Sequence, residues 1–136
     1  MKLQSASPDP SRSSSILIVD DNSDIRRLLN IVLGQQNRLL EASNGREALQ
    51  ILARERPTLV LLDVMMPGEM DGLQVLDAIK GDPELKDTVV AMVTARGQTC
   101  DSVDAYRRGA DAYFIKPFSP RDLKAWIENH LPQAQR

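Results

Sequence analysis

Cysteine, histidine and tryptophan each occur once in this 136-residue chain, and aromatic residues make up only 4% of it. A lone Cys100 cannot close an intramolecular disulfide, and one histidine leaves nothing like a zinc ligand set, so a reducing compartment is expected. His130 lies near the end of a helical pattern, where a solvated cation favoured by the helix dipole is expected rather than a ligand. No apolar run approaches the roughly 20 residues that span a bilayer, and the N-terminus lacks a signal-peptide core. No membrane association and a cytoplasmic location are the resulting expectations. The formal net charge of -2 lacks the cationic excess that binding to a phosphate backbone requires, so direct nucleic-acid binding is not expected.

What is present is an ordinary globular composition, 42% hydrophobic and 26% charged, in a chain the size of one domain. At that size about two-thirds of the unfolded surface can be buried. Residues 1–14 are rich in Ser and Pro and cannot offset their ordering entropy, so they read as a disordered N-terminal tail. Residues 132–136 read as a short C-terminal tail, leaving one domain over 15–131. Within it, short apolar runs alternate with segments of helical period, the pattern of βαβ units around a parallel sheet. Strands are expected at Ile16–Val19, Arg38–Ala42, Leu59–Leu62, Val89–Val93 and Ala112–Ile115. The first, third and fourth are continuous apolar runs, as strands covered on both faces require.

The intervening helices carry their own start and stop signals. Ile25, Leu28, Leu29, Val32 and Leu33 recur at helical spacing, with Gly34 expected as a left-handed stop. Asn44 with Glu47 predicts a capping box before Ala48, Ile51 and Leu52, and Pro57 bounds that helix. Asp71 is the expected cap of a helix burying Leu73, Leu76 and Ile79. Thr99 is the expected cap of a fourth helix holding Val103 and Tyr106 and closed by Gly109. Ser119 and Pro120 open a fifth, with Leu123, Trp126, Ile127 and Leu131 as its apolar stripe. The result is an α/β, flavodoxin-like, doubly wound parallel sheet of order 2-1-3-4-5 with five helices. Its ligand-binding switch point lies beside strands one and three.

Those two strands end in acids. Asp20 and Asp21 follow the first, Asp63 ends the third, and Lys116-Pro117 follows the fifth. Crowded carboxylates repel by a few kcal/mol per close pair at an effective dielectric of ~20, so such a cluster calls for a cation. Hard oxygen ligands with an open side point to Mg2+. Taken singly, each residue has a plainer reading. Asp20 and Asp21 are good helix caps, Asp63 suits a strand-end turn and Lys116 a solvated surface. Thr94 suits a strand end through its β-branching, Tyr113 suits sheet packing, and Met65 and Met66 suit adaptable packing.

Taken together, Asp20-Asp21 after SILIV, Asp63 in LLDVMMPG, Thr94 in AMVTAR and Lys116-Pro117 in AYFIKPF resemble the receiver domain of bacterial two-component response regulators. The resemblance covers about residues 15–131. It implies that Asp63 is the phosphoacceptor, and that Asp21, Asp63 and the backbone carbonyl of Met65 hold Mg2+ while Asp20 acts mainly through water. It further implies that Thr94 and Lys116 bind the phosphoryl oxygens, that Tyr113 is an aromatic switch beside Thr94, and that the Lys116–Pro117 bond is cis. The donor would be a sensor histidine kinase or a histidine phosphotransfer protein. The output would be a downstream protein target meeting the helix 4, strand 5 and helix 5 surface.

Two departures from the family pattern stand out. Gly68, Glu69 and Met70 separate Pro67 from Asp71-Gly72 where the family usually has two residues, so a bulged loop and an extra acid near the metal rim are expected. Trp126 stands where members that dimerise to bind DNA often carry arginine, so the resemblance does not extend to that dimer, although a homodimer of another kind stays open. No separate substrate turnover is expected. A haloacid-dehalogenase-type phosphatase would want a second Asp at position 65, where Met65 stands, and no G-x-G-x-x-G follows the first strand for a dinucleotide. The rival that keeps the fold is a phosphorylation-independent interaction module. No output domain is seen after Arg136, which fits either a stand-alone regulator or a fragment.

Overall fold

The structure is a computed structural model that describes residues 15–95 and 102–131. The tails, Thr99 and Cys100 lie outside the described residues. The chain alternates β1 (Ser15–Val19), α1 (Ser23–Leu33), β2 (Arg38–Ala42), α2 (Gly45–Glu55), β3 (Leu59–Asp63), α3 (Gly72–Gly81), β4 (Val89–Ala95), α4 (Ser102–Arg107), β5 (Ala112–Lys116) and α5 (Pro120–His130). The described strands form one parallel sheet in the order β2-β1-β3-β4-β5. This is the doubly wound order expected from the sequence, with β1 and β3 adjacent at its switch point.

Capping decides where several helices begin. Asn44 Oδ1 accepts from the Glu47 amide at 2.8 Å, and Asp71 and Gln74 form a full capping box over α3. Ser119 caps α5, with Pro120 just inside it where its missing N–H costs nothing. Around Asn44 the box is only half formed, because Glu47 Oε1 accepts from the Ser43 amide instead of the Asn44 amide. Neither Asp20 nor Asp21 caps α1. Asn22 does, accepting from the Asp24 amide, which leaves both acids available to the strand edge.

One expectation about the helices is corrected, and the exposure of two helix faces is set by the structure. Gly34 is right-handed, at φ -73°, so it is not a left-handed stop, and glycine is needed there because an ideal Cβ would lie 2.5 Å from the Asn30 carbonyl oxygen. The left-handed stops are Arg56, at φ 50° before Pro57, and Gly109, at φ 110°. Leu28 lies at the flank of the buried stripe formed by Leu29 and Leu33 and is exposed. In α4 the buried residue is Ala105, whereas Val103 and Tyr106 are 57% and 50% exposed. A helix turns about 100° per residue, so Val103 lies on the side opposite Ala105.

Two cores sandwich the sheet. Leu17, Val19, Val60, Leu62 and Met92 face α2, α3 and α4, while Ile16, Ile18, Leu59, Leu61 and Ala91 face α1 and α5. Side chains alternate along a strand, so these two sets predict where the strand ends point. Asp20 continues the parity of Ile16 and Ile18, Asp63 that of Leu59 and Leu61, and Lys116 that of Ala112 and Phe114. All three charged groups therefore reach the C-terminal edge on the α1 and α5 side. Thr94 and Tyr113 carry the parity of Met92 and belong to the α4 side, where Tyr113 packs on the core.

Candidate functional site

Asp20, Asp21 and Asp63 each offer a carboxylate oxygen within 4.8 Å of the others. Asp20 and Asp63 are buried at 3% and 4% exposure, whereas Asp21 is exposed. Lys116 Nζ lies 2.8 Å from Asp20 Oδ2 and 3.7 Å from Asp63 Oδ2. The other oxygen of Asp20 accepts from the Asn22 amide at 2.9 Å, so this carboxylate is held at both ends. The Lys116–Pro117 peptide is cis. The sequence-predicted acids and lysine, far apart in the chain, are thus one group.

The electrostatics show a site short of positive charge. Burial raises the Asp63 carboxyl from its ordinary 3.8 to about 6, and the Asp20 and Asp21 charges add to the rise; Lys116 and a bond from the Met65 amide work against it. Burial pulls the Lys116 ammonium down, but its bond to Asp20 and the charges of Asp20, Asp63 and Asp21 outweigh that, leaving it above its ordinary value. One lysine faces three carboxylates. Three hard oxygen donors converging around a buried, under-neutralised carboxylate suit a divalent cation such as Mg2+.

The β3–α3 loop seats the strand end from the other side. An ideal Cβ on Gly72 would fall 2.0 Å from the Asp63 carbonyl oxygen and 2.9 Å from Val64 Cα, and the Gly72 amide donates to the Val64 carbonyl at 2.8 Å. The helix start thus touches the backbone of Asp63, and only glycine fits there. The extra loop residue is absorbed by Gly68 at φ 100° and by half-buried Met70, which packs on Gly45 at the start of α2. Glu69 is not one of the three converging carboxylates and lines a cleft with Asn44 and Arg46. Met65 is 53% exposed, so it does not act as packing, whereas Met66 does contact the core.

Thr94 is 3% exposed near the end of β4, paired with Ile115, while Tyr113 is half-buried two residues before it in β5. His130 is no ligand to this group. Its ring stacks on Trp126 at 4.1 Å between centroids, and its Nδ1 lies 2.8 Å from the Trp126 carbonyl oxygen.

Two site neighbours escaped the sequence reading. Gly72 was read only as part of the Asp71-Gly72 pair, and its contact with the Asp63 backbone was not foreseen. Arg26, whose Nη1 donates to the Asp20 carbonyl at 2.6 Å, sits in a stretch that looks like any solvated helix face, and nothing in the pattern marks it.

The chain matches the response regulator receiver domain family over residues 16–128. It is 41% identical over 124 residues, 90% of its length, to the transcriptional regulatory protein SrrA of Staphylococcus aureus strain NCTC 8325 / PS 47, and covers 50% of that protein. The transcriptional regulator ycf27 of Porphyra purpurea is also 41% identical, over 128 residues, with 92% of this chain and 50% of that protein covered. The chain spans about half the length of the curated relatives it matches. Among solved structures, the receiver domain of NtrX from Brucella abortus superposes with a TM-score of 0.76 at 34% identity, covering 84% of this chain and 95% of that one. A CheY-like receiver domain protein from Methanospirillum hungatei JF-1 gives 0.80 at 30%, covering 90% and 96%.

This chain belongs to the response regulator receiver domain family. Receiver domains are the phosphoacceptors of two-component signalling, and the likeness does not favour a phosphorylation-independent module. No described helix is long and apolar enough to cross a membrane.

Proposed function

We propose that Asp63 is the phosphoacceptor of this receiver domain, that Asp21, Asp63 and the Met65 carbonyl hold Mg2+, and that Asp20 reaches the ion mainly through water. The observation that carries this reading is the buried Asp63 carboxylate, raised by burial and by its acidic neighbours, with one lysine 3.7 Å away. An acid in that position gains most from a cation, and the charge a phosphoryl group adds makes the cation more necessary still. In the transfer, an Asp63 oxygen attacks the phosphorus of a phosphohistidine in line, and the phosphorus–nitrogen bond breaks with its electron pair leaving on the imidazole. Mg2+, when bound, neutralises charge on the acid cluster and on the phosphoryl group.

The protein's own groups do the positioning. Gly72 and the β3 backbone fix the direction of Asp63. Lys116, anchored on Asp20 in the resting site, supplies the second cation for the phosphoryl oxygens, and the Thr94 hydroxyl donates to one of them. Tyr113 then turns inward on the same sheet face as Thr94. The donor is a sensor histidine kinase or a histidine phosphotransfer protein. The output is a protein target on the α4, β5 and α5 surface, where Val103, Tyr106 and Ile115 are exposed. This function needs a cytoplasmic setting and no separate substrate turnover.

Intact-mass measurement after incubation with a small acyl phosphate and Mg2+ tests the reading. One added phosphoryl group is expected, dependent on the metal and absent from Asp63→Asn. Labelling of that variant equal to wild type would refute the assignment of the nucleophile.

A further inference from the structure

We infer that Arg26 is a positioning residue for the metal site, acting through the peptide that joins Asp20 to Asp21. The inference rests on the metal-binding reading above and goes beyond it. Arg26 lies on the first turns of α1, and its side chain is only 19% exposed. Its Nη1 donates to the Asp20 carbonyl at 2.6 Å, and its Nε donates to Glu41 Oε1 at 2.9 Å on β2. Glu41 is steadied in turn, because its second oxygen accepts from Asn30 Nδ2 at 3.1 Å. The guanidinium is a planar fork, so fixing one edge on Glu41 fixes where the other edge points.

The carbonyl that Arg26 holds shares a rigid peptide plane with the Asp21 amide. The Asp20 amide on the other side is tied to the Ala42 carbonyl at 3.0 Å, and both Asp20 carboxylate oxygens are taken, by Lys116 and by the Asn22 amide. Asp20 is therefore pinned at every polar atom. With that plane locked, the direction in which the backbone leaves toward Asp21 is locked too. Asp21 is exposed, so its aim at Asp63 depends strongly on the backbone that carries it. Arg26 supplies the aim from behind.

The charge of Arg26 gives the idea a sharp test, because a nearby cation repels a divalent ion. Electrostatics alone predicts that removing it tightens Mg2+ binding. Positioning predicts the opposite sign. Mg2+ titration followed by amide NMR, with thermal melting to verify the fold, should show Arg26→Met binding Mg2+ about tenfold more weakly than wild type. That is the low end for residues that orient a ligand without touching the metal. Arg26→Lys keeps the charge and a donor but loses the fork, and should fall between the two, with its largest metal-free shifts at the Asp21 and Asn22 amides. Equal or tighter binding by Arg26→Met, with wild type binding normally, overturns this inference alone. If Arg26→Met fails to fold, Arg26→Lys decides, and wild-type affinity in it overturns the inference. Failure of wild type to bind Mg2+ overturns both this inference and the metal reading beneath it.

Discussion

Lys116 Nζ is bonded to Asp20 at 2.8 Å and stands 3.7 Å from Asp63, so in the resting site the lysine belongs to Asp20. Transfer of a phosphoryl group to Asp63 would draw the ammonium across about one ångström of gap, toward oxygens bearing more charge. The resting bond keeps a buried acid neutralised until then. Lys116→Met removes that partner and leaves Asp20 buried with its charge unpaired. A loss of about 3 kcal/mol in stability is expected without Mg2+, because an orphaned buried charge costs more than the pair contributed. Urea unfolding with and without Mg2+ measures it, and the metal should restore part of the loss. Phosphorylation by an acyl phosphate should slow at least about tenfold, since one positioned cation on a transferring phosphoryl group is worth that much or more.

Asp63 gives the fold a specific pH dependence. Its folded carboxyl titrates at about 6 and its ordinary value is 3.8, so between those values the folded state holds more protons than the unfolded state. Stability in metal-free buffer should therefore fall as pH rises through that window, and the full penalty should be present above it. The shift corresponds to about 3 kcal/mol at most. Asp63→Asn should be more stable than wild type at neutral pH by about 1–3 kcal/mol and lose that advantage near pH 4. Saturating Mg2+ should raise wild-type stability at neutral pH and leave the variant less affected. An Asn variant less stable than wild type at neutral pH without metal would contradict the site's electrostatics.

Gly72→Ala should damage the site through the backbone. Its Cβ would meet the Asp63 carbonyl oxygen at 2.0 Å, so α3 or the end of β3 must move. Overpacking of this kind costs about 1–3 kcal/mol. Amide shifts should centre on Asp63, Val64 and Met65, and phosphorylation should slow even at temperatures where the variant is folded. Gly81→Ala, where an added Cβ meets nothing within 4 Å, is the control and should leave phosphorylation unchanged.

Thr94→Ala should separate phosphorylation from output. Thr94 and Tyr113 share the α4 side of the sheet, so on the proposed reading a move of the Thr94 hydroxyl toward a phosphoryl group on Asp63 would free space for Tyr113. The variant should still gain a phosphoryl group. In wild type, phosphorylation should shift the amides of Val103, Tyr106, Tyr113 and Leu123, and these shifts should shrink in Thr94→Ala. Moving a 1:99 population to 99:1 would need about 5.5 kcal/mol of differential interaction, so a partial shift is the realistic outcome for one hydroxyl. Full-sized shifts in the variant would remove Thr94 from the pathway.

The sheet was legible because parallel strands covered on both faces must be apolar throughout. Ile16–Val19 and Leu59–Leu62 announce themselves in that way, and the acids that end them stand out by contrast. Helix starts were legible where the cap was the nearest polar residue, as at Asp71 and Ser119. The start of α1 was not. Asp20, Asp21 and Asn22 are all good caps in series, and only the pull of the sheet edge on the two acids leaves Asn22 for the helix. The outward turn of Val103 and Tyr106 was likewise hidden, since spacing sets which residues share a helix face but not which face meets the core.

By itself the sequence determined the order of elements, the sheet and the identity of the charged residues at its edge, because burial on two faces and two-residue alternation are properties of the chain's own pattern. The tertiary structure alone decided how those charges are shared. That Lys116 rests on Asp20, that Glu69 lines a cleft with Asn44 and Arg46, that Gly72 abuts the Asp63 carbonyl and that Arg26 reaches back to Asp20 all depend on distances that the order of residues does not state. A hydrogen bond is made or lost within a fraction of an ångström and a charge pair weakens with distance, and no linear pattern carries those distances.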